Sequence, residues 1–428
     1  MKVAIYTLGC KVNQYETQAM EQELVSRGHE IVDFSGDADA YVVNTCSVTA
    51  VSDQKSRQAV HRVQRSHPNA VVAVCGCYAQ THLEDVRKLG VDLIAGTGER
   101  GKFVERLEQA AAEKQPLEFV DESLKRRQFE VLPAGGLATR TRAMLKVEDG
   151  CVNFCTYCII PYARGPVRSE PLADAVAQTR QLAAEGYREI VLTGIEISSW
   201  GHDLKNGQSL IDLVEAVCAA APELRVRLGS LEPRTVTEEF CRRASALPNL
   251  CPQFHLSMQS GCDETLRRMN RKYDTGRFLE SVTLLNRHFY RPAVTTDMIA
   301  GFPGETEEEF GKTLDFIRRC GFAQMHIFPY SVRPGTPAAK MEQVPAAVKE
   351  DRARRAAAVA AELHRAYLEG CVGRVYPVLF EQPKGDRFSG HAPNYMEVLA
   401  VGEDLHNQVR NVRVTGIEDG ALVGEIAD

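Results

Sequence analysis

Cys151-Val152-Asn153-Phe154-Cys155-Thr156-Tyr157-Cys158 sets three cysteines within eight residues, and this stretch decides how the rest of the chain is read. A disulfide uses two sulfurs and structural zinc uses four ligands, whereas C-x3-C-x2-C spacing offers three thiolates. Three thiolates hold three irons of a four-iron cluster and leave the fourth open to a substrate or cofactor. The alternative is a zinc knuckle on Cys155 and Cys158 with ligands from elsewhere, which leaves Cys151 idle.

Outward from this run the chain alternates apolar stretches with helical patterns. Strands are legible at residues 144–147, 189–193, 225–228, 253–256, 295–300 and 325–329, and a helix at 346–368 closes the region. Six β/α units over residues 143–369 predict a partial barrel with functional residues at the carboxyl ends of its strands. The cysteine run follows the first of these strands. Residues 1–120 carry the same rhythm, with strands at 2–8, 40–43 and 69–74 and helices at 17–27 and 52–64. This predicts an α/β domain with a parallel sheet. Residues 121–142, charged and then small (Pro133-Ala134-Gly135-Gly136), read as a linker. In the tail, residues 370–428, alternation at 375–381, 395–401, 409–415 and 421–426 predicts a small antiparallel β-barrel.

The chain has 428 residues, 44% of them hydrophobic, enough for about three domains. It has no apolar run of the roughly 20 residues that a membrane span needs, and its start reads as a strand. Thirteen cysteines without an export signal point to metal chemistry in a reducing compartment, so a cytoplasmic protein is expected. The net charge of −6 gives no general sign of nucleic acid. Local basic clusters at Lys55, Arg57, Arg62 and Arg65, at 125–127, and at Arg267, Arg268, Arg271 and Lys272 read alone as solvated helix faces.

A second set of cysteines is dispersed. Cys10, Cys46 and Cys77 each lie just past a predicted strand. In a parallel sheet such strand ends converge on one edge, the usual place for a ligand crevice. They form a second three-thiolate set, although any one alone reads as an ordinary buried cysteine. Cys75 is two residues from Cys77 and competes with it; the glycine preceding both Cys10 and Cys77 favours Cys77. The remaining cysteines show no ligand spacing.

The triple-cysteine spacing, with Tyr157 before its last member, is that of radical S-adenosylmethionine enzymes. Cys10, Cys46 and Cys77, then Tyr162-Ala163-Arg164-Gly165, His255-Leu256-Ser257-Met258-Gln259, Met269-Asn270-Arg271-Lys272-Tyr273, Gly301-Phe302-Pro303-Gly304 and Phe328-Pro329-Tyr330-Ser331 resemble the radical methylthiotransferases over nearly the whole chain. The tail, with Gly390-His391-Ala392-Pro393-Asn394-Tyr395, resembles the RNA-binding TRAM domain of these enzymes. Lys11-Val12-Asn13-Gln14 after Cys10 resembles the MtaB-like branch, where the isopentenyladenosine branch has Gln-Met-Asn and the ribosomal-protein branch Pro-Lys-Asn.

The resemblance implies a transferase that uses two 4Fe–4S clusters, held by Cys10, Cys46 and Cys77 and by Cys151, Cys155 and Cys158. S-adenosylmethionine would be bound at the second cluster and cleaved there to a 5'-deoxyadenosyl radical. It implies a tRNA substrate, with N6-threonylcarbamoyladenosine next to the anticodon converted to its 2-methylthio derivative, and dependence on a reducing electron donor and a sulfur donor. Carbon 2 of adenine has no acidic proton, so radical chemistry suits the exchange of C–H for C–S. Tyr157, Gly194, Glu196, Ser257 and Gln259 are the expected cofactor contacts, each with a structural hydrogen bond as the alternative. Residues 301–306 lack the Gly-Lys-[ST] of a P-loop and read as a strand-to-helix turn. Arg164 and Arg168 are expected at RNA phosphate or cofactor carboxylate.

The tail carries five basic against nine acidic residues, a net charge of −4, unusual for a module whose RNA affinity draws on phosphate neutralisation. Binding there requires Lys384, Arg387, Arg410 and Arg413 on one face, with Tyr395 stacking on a base of the anticodon loop. The rival readings are an iron–sulfur electron carrier, a zinc-based RNA-binding protein, and methylthio transfer to isopentenyladenosine or to a ribosomal-protein aspartate.

Overall fold

The computed structural model describes residues 1–136 and 141–427. The first domain is a six-stranded sheet, β1 (Lys2–Thr7), β2 (Glu30–Val32), β3 (Ala40–Thr45), β4 (Val71–Gly76), β5 (Leu93–Ala95) and β6 (Leu117–Phe119), in the order β2-β1-β3-β4-β5-β6. Every pair is parallel. Strands buried on both faces read as continuous apolar runs, and β3 is buried at all six positions. Val42 and Ala73 face the helices Lys11–Ser26 and Phe103–Glu113, and Val43 and Val74 face the helix Ala50–Ser66.

The central domain follows through β7 (Arg142–Lys146), a short ribbon of β8 (Glu148–Asp149) and β9 (Arg168–Ser169), then β10 (Glu189–Thr193), β11 (Arg225–Leu228), β12 (Ser230–Leu231), β13 (Gln253–Gln259), β14 (Ala293–Ala300) and β15 (Gln324–Pro329). β11 and β12 are one strand interrupted at Gly229, which gives the parallel order β7-β10-β11/β12-β13-β14-β15. Because side chains alternate along a strand, Leu145, Ile190, Leu192, Val226, Phe254 and Leu256 pack outward beneath the helices. The inward series includes Lys146, Glu189, Arg227, His255 and Asp297. The lumen is thus polar, unlike the apolar filling of a closed eight-stranded barrel.

β7 and β15 do not pair, and the first domain spans the gap. On the β7 side Tyr15 and Ala19 join the central core with Leu145. On the β15 side Arg333 pairs with Asp53 at 2.7 Å and donates to Ser47 at 2.6 Å. The expected linker is a packed strap: Leu132 and Ala134 are buried in the central core, and the Tyr15 hydroxyl donates to the Leu132 carbonyl. Residues 137–140 of that linker lie outside the described residues.

The helix Ala346–Glu369 leads into a closed five-stranded barrel, β16 (Val375–Lys384), β17 (Arg387–His391), β18 (Glu397–Ala400), β19 (Val409–Glu418) and β20 (Ala421–Ile426). The tail is not wholly antiparallel as its alternation predicts, because β18 and β20 close the barrel as a parallel pair. The barrel is anchored by arginines of the central strands, which donate to its carbonyls and to Glu381. Arg225 donates to Pro377 O at 3.1 Å and His391 O at 3.2 Å, Arg227 donates to Pro393 O at 2.9 Å, and Arg142 pairs with Glu381 at 2.7 Å.

Candidate active site

The first cysteine set is assembled by sheet topology. Thr7 pairs with Asn44, Asn44 with Cys75 and Thr45 with Gly76, so β1, β3 and β4 end together. Cys10 caps the helix Lys11–Ser26, Cys46 directly follows β3, and Cys77 begins the helix Cys77–Thr81. Gly9 (φ +111°) and Gly76 (φ +100°) adopt backbone conformations that side chains disfavour. A Cβ on Gly9 would lie 2.7 Å from the Cys46 Cβ, and one on Gly76 would lie 2.5 Å from the Thr45 carbonyl. The missing side chains let the three turns close on one another. Asn13 ties two of them, donating to Leu8 O at 2.7 Å and Thr45 O at 2.9 Å. Cys75 is a core residue of β4, 0% exposed, with its thiol directed at Asn44 Oδ1.

The second set leaves β8. Its loop is braced by the segment after the helix Asp263–Arg268: Thr156 N–H donates to Met269 O (3.1 Å), Thr156 Oγ1 to Arg268 O (2.8 Å) and Asn270 Nδ2 to Phe154 O (3.0 Å). Arg271 donates to Cys155 Sγ at 3.3 Å. Tyr157 meets Phe302 edge to face, and Phe302 lies in the strand-to-helix turn read from the sequence, where Gly301 N–H donates to Glu305.

The helix Cys77–Thr81 packs on the helix Ile160–Arg164, which brings the two sets to one seam. Burial raises the Cys46 thiol to about 12, with Cys77 and Cys10 adding to the shift. Burial raises Cys158 to about 12 as well, with Cys155 and then, across the domain seam, Cys77 contributing. Such thiols do not ionise unaided at neutral pH, and a bound metal deprotonates a coordinating thiol outright. Among the described residues no three His, Cys, Asp or Glu side chains converge on a single-ion geometry. The ligands of a four-iron cluster attach to separate irons, and three cysteine sulfurs are the donors such a cluster takes. Both sets fit that group.

Beyond the ends of β10 and β12, Glu196 lines a cavity of about 490 Å³ together with Val152, Asn153, Ser198, Glu232 and Arg234. Burial raises the carboxyls of both Glu196 and Glu148. Glu148 accepts from Glu196 N–H at 2.7 Å, and one oxygen of each carboxyl is buried without a hydrogen-bond partner. Two orphaned acceptors beside the cysteine loop fit the ammonium of a methionine group. Glu148 was missed in the sequence, although it stands in the four residues between the first central strand and the cysteine run. Gly194 follows β10. Ser257 hydrogen-bonds Ser230 at 2.7 Å, and Gln259 ends β13 with φ +65°.

Two sequence expectations are corrected here. Arg164 and Arg168 are buried, not presented to RNA phosphate. Arg164 pairs with Glu16 and donates to Asn13 Oδ1 at 2.7 Å; Arg168 pairs with Asp149 at 3.3 Å. Glu16 also meets Arg100 at 3.2 Å and Lys146 at 3.5 Å. Burial alone would raise this carboxyl, but Arg164, Arg100 and Lys146 together hold it below the usual carboxylate range. The tail's basic residues do not form one free patch. Lys384 and Arg387 are paired with Glu397 and Glu418, Arg410 faces a groove against the central domain, and Arg413 lies exposed three residues further along β19. Tyr395 stacks on His391 and has Arg227 and Arg142 over its ring, so it is turned inward and not towards a solvent-side base.

Residues 2–96 match the uncharacterized protein family UPF0004, and residues 145–317 match the radical SAM superfamily. A solved structure of the radical S-adenosylmethionine methyltransferase TsrM from Kitasatospora setae, with cobalamin and a 4Fe–4S cluster bound, shares the fold. Its TM-score is 0.59 at 18% identity, covering 79% of this chain and 77% of that one. Fold and cysteine loop together define a radical S-adenosylmethionine enzyme. The threonylcarbamoyladenosine tRNA methylthiotransferase MtaB of Bacillus subtilis is 40% identical over 96% of this chain and 93% of its own. That of Thermotoga maritima is 35% identical over 100% and 97%. A tRNA-2-methylthio-N(6)-dimethylallyladenosine synthase of Cereibacter sphaeroides is 32% identical over 99% and 98%. The chain belongs to the MtaB-like radical S-adenosylmethionine methylthiotransferase family, whose cofactors are 4Fe–4S clusters and S-adenosylmethionine.

Proposed function

We propose that this protein acts in the cytoplasm on tRNA, converting N6-threonylcarbamoyladenosine next to the anticodon to its 2-methylthio derivative. The observation that carries the reading is the packing of the helix Cys77–Thr81 of the first domain on the helix Ile160–Arg164 that follows the second cysteine run, which brings Cys77 near enough to Cys158 to raise its thiol. Cys151, Cys155 and Cys158 would hold one cluster, and Cys10, Cys46 and Cys77 the other. When bound, these groups and S-adenosylmethionine supply the radical chemistry that exchanges the carbon-2 hydrogen for a methylthio group. An external reductant and a sulfur source complete the stoichiometry.

The chain's own residues orient and shield. Glu196, backed by Glu148, would accept from the cofactor's ammonium. Arg271 donates to the Cys155 sulfur. Arg164 lies beside Cys77 and favours its thiolate, although burial, the larger effect, raises the thiol. Deletion followed by mass spectrometry of tRNA nucleosides tests the reading. Loss of the 2-methylthio-threonylcarbamoyl nucleoside, restored by the intact gene but not by a Cys77→Ala copy, is expected. Unchanged nucleoside in a strain without a second such enzyme, or loss of the methylthio-isopentenyl form instead, overturns it.

A further inference from the structure

All three domains contribute to a chamber of about 360 Å³ lined by Lys11 and Gln14 from the first domain, Met144, Val191 and Arg227 from the central lumen, and Tyr395 from the tail barrel. This is within the size range of small-ligand sites. Its charges are unequally matched. Arg227 is held by Glu189 through two bonds of 2.9 and 3.1 Å, and Arg142, also at the wall, is held by Glu381 at 2.7 Å. Lys11 is exposed to the chamber and has no hydrogen-bond or ion-pair partner among the described residues. Gln14, three residues along the same helix and so on the same face, is likewise exposed and without a side-chain partner. An ammonium facing two guanidiniums in a confined space, with its own N–H donors unpaired, is set to receive an anion.

We propose that this chamber takes the acidic N6 substituent of the target nucleoside, with Lys11 binding its carboxylate and so setting substrate choice. The inference rests on the function proposed above and deepens it. Lys11 directly follows Cys10, so a group lodged here would leave its base beside the first sulfur set. A threonylcarbamoyl group carries a carboxylate for Lys11, and a hydroxyl and ureido oxygen within the chemistry of the Gln14 amide. Met144, Val191 and the Tyr395 ring supply the apolar wall. A purely hydrocarbon substituent would cover the exposed ammonium without pairing it, which disfavours it.

The test uses reconstituted full-length enzyme and anticodon stem–loop RNAs with threonylcarbamoyladenosine, its carboxyl-amidated analogue, or plain adenosine at the target position, with binding followed by fluorescence anisotropy. Wild type should prefer the acid over the amide by roughly tenfold or more. Lys11→Gln and Lys11→Met should bind the two about equally, while Lys11→Arg keeps the preference. Iron content and unfolding midpoint, measured in parallel, report whether Cys10 or the fold is disturbed. The carboxylate site is overturned if wild type does not distinguish acid from amide, or if well-loaded Lys11→Gln distinguishes them as wild type does. If instead wild type binds the modified and plain RNAs alike and methylthiolates neither, the function itself is wrong.

Discussion

Arg164, at the end of the short helix Ile160–Arg164 beyond the second cysteine set, pairs with Glu16 of the first domain, and both side chains are completely buried. Their partners Asn13, Arg100, Lys146 and Asp149 extend the pair into a network crossing the seam between the two sheets. Removing one member of a buried pair leaves an uncompensated charge, at a cost of about 3–5 kcal/mol. Glu16→Ala and Arg164→Ala should each destabilise the protein on that scale in urea unfolding. A loss below about 1 kcal/mol for both would mean the network does not hold the domains.

Backbone geometry at the first cysteine set gives a second expectation. Gly9→Ala or Gly76→Ala should lower iron content by about four atoms per chain after anaerobic reconstitution and leave the other cluster loaded. Gly90→Ala, at φ +63° with nothing within 4 Å, controls for backbone strain alone. Full loading of the Gly9 and Gly76 variants would contradict the close approach described here.

Cys75 and Cys77 should behave oppositely. Cys75→Ala removes a core thiol and should keep about eight irons per chain, whereas Cys77→Ala should keep about four. Equal retention would reopen the ligand assignment.

Arg271 donates to Cys155 Sγ, and hydrogen bonds to cluster sulfurs raise reduction potential by stabilising the reduced state. Arg271→Met should lower the midpoint potential of the second cluster in a potentiometric titration read by electron paramagnetic resonance, and Arg271→Lys should restore part of it. An unshifted potential in the methionine variant would leave Arg271 with a packing role only.

Acid stability should be sensitive to Glu189. Burial alone would raise this carboxyl, but Arg227, then Arg225 and Arg142, bring it down to about 2 from an ordinary 4.5. A depressed carboxyl stabilises the fold fully above its unfolded value, and the contribution fades as pH falls from about 4.5 through about 2. Glu189→Gln should therefore destabilise by on the order of 3 kcal/mol at about pH 6. The gap from wild type should narrow at about pH 3, and a gap independent of pH would refute the assignment.

Much of this architecture is legible from residue patterns. The strands at 189–193, 225–228 and 421–426 fall where the apolar runs place them. The helix expected at 17–27 begins at Lys11, with Cys10 at the N-cap position but making no side-chain cap bond, so the first turn gives neither a capping nor an apolar signal. β2, β5 and β6 have three residues each, too few to show a period. β17 escaped because Arg-Phe-Ser-Gly-His does not alternate; Gly390 sits there so that the Leu379 carbonyl can approach, at 2.4 Å from a would-be Cβ. The cysteines are visible in sequence because their spacing is itself the chemistry. The roles of Arg164 and Glu148 are not, since each depends on a partner far along the chain, Glu16 and Glu196.

The glycines beside Cys10 and Cys77 make the gene fragile at unexpected places. Every missense change in either codon adds at least a methyl group, so even the mildest replacement strikes the neighbouring turn. Natural variation at these two positions should be as scarce as at Cys10 and Cys77 themselves, though a glycine carries no side chain to hold anything.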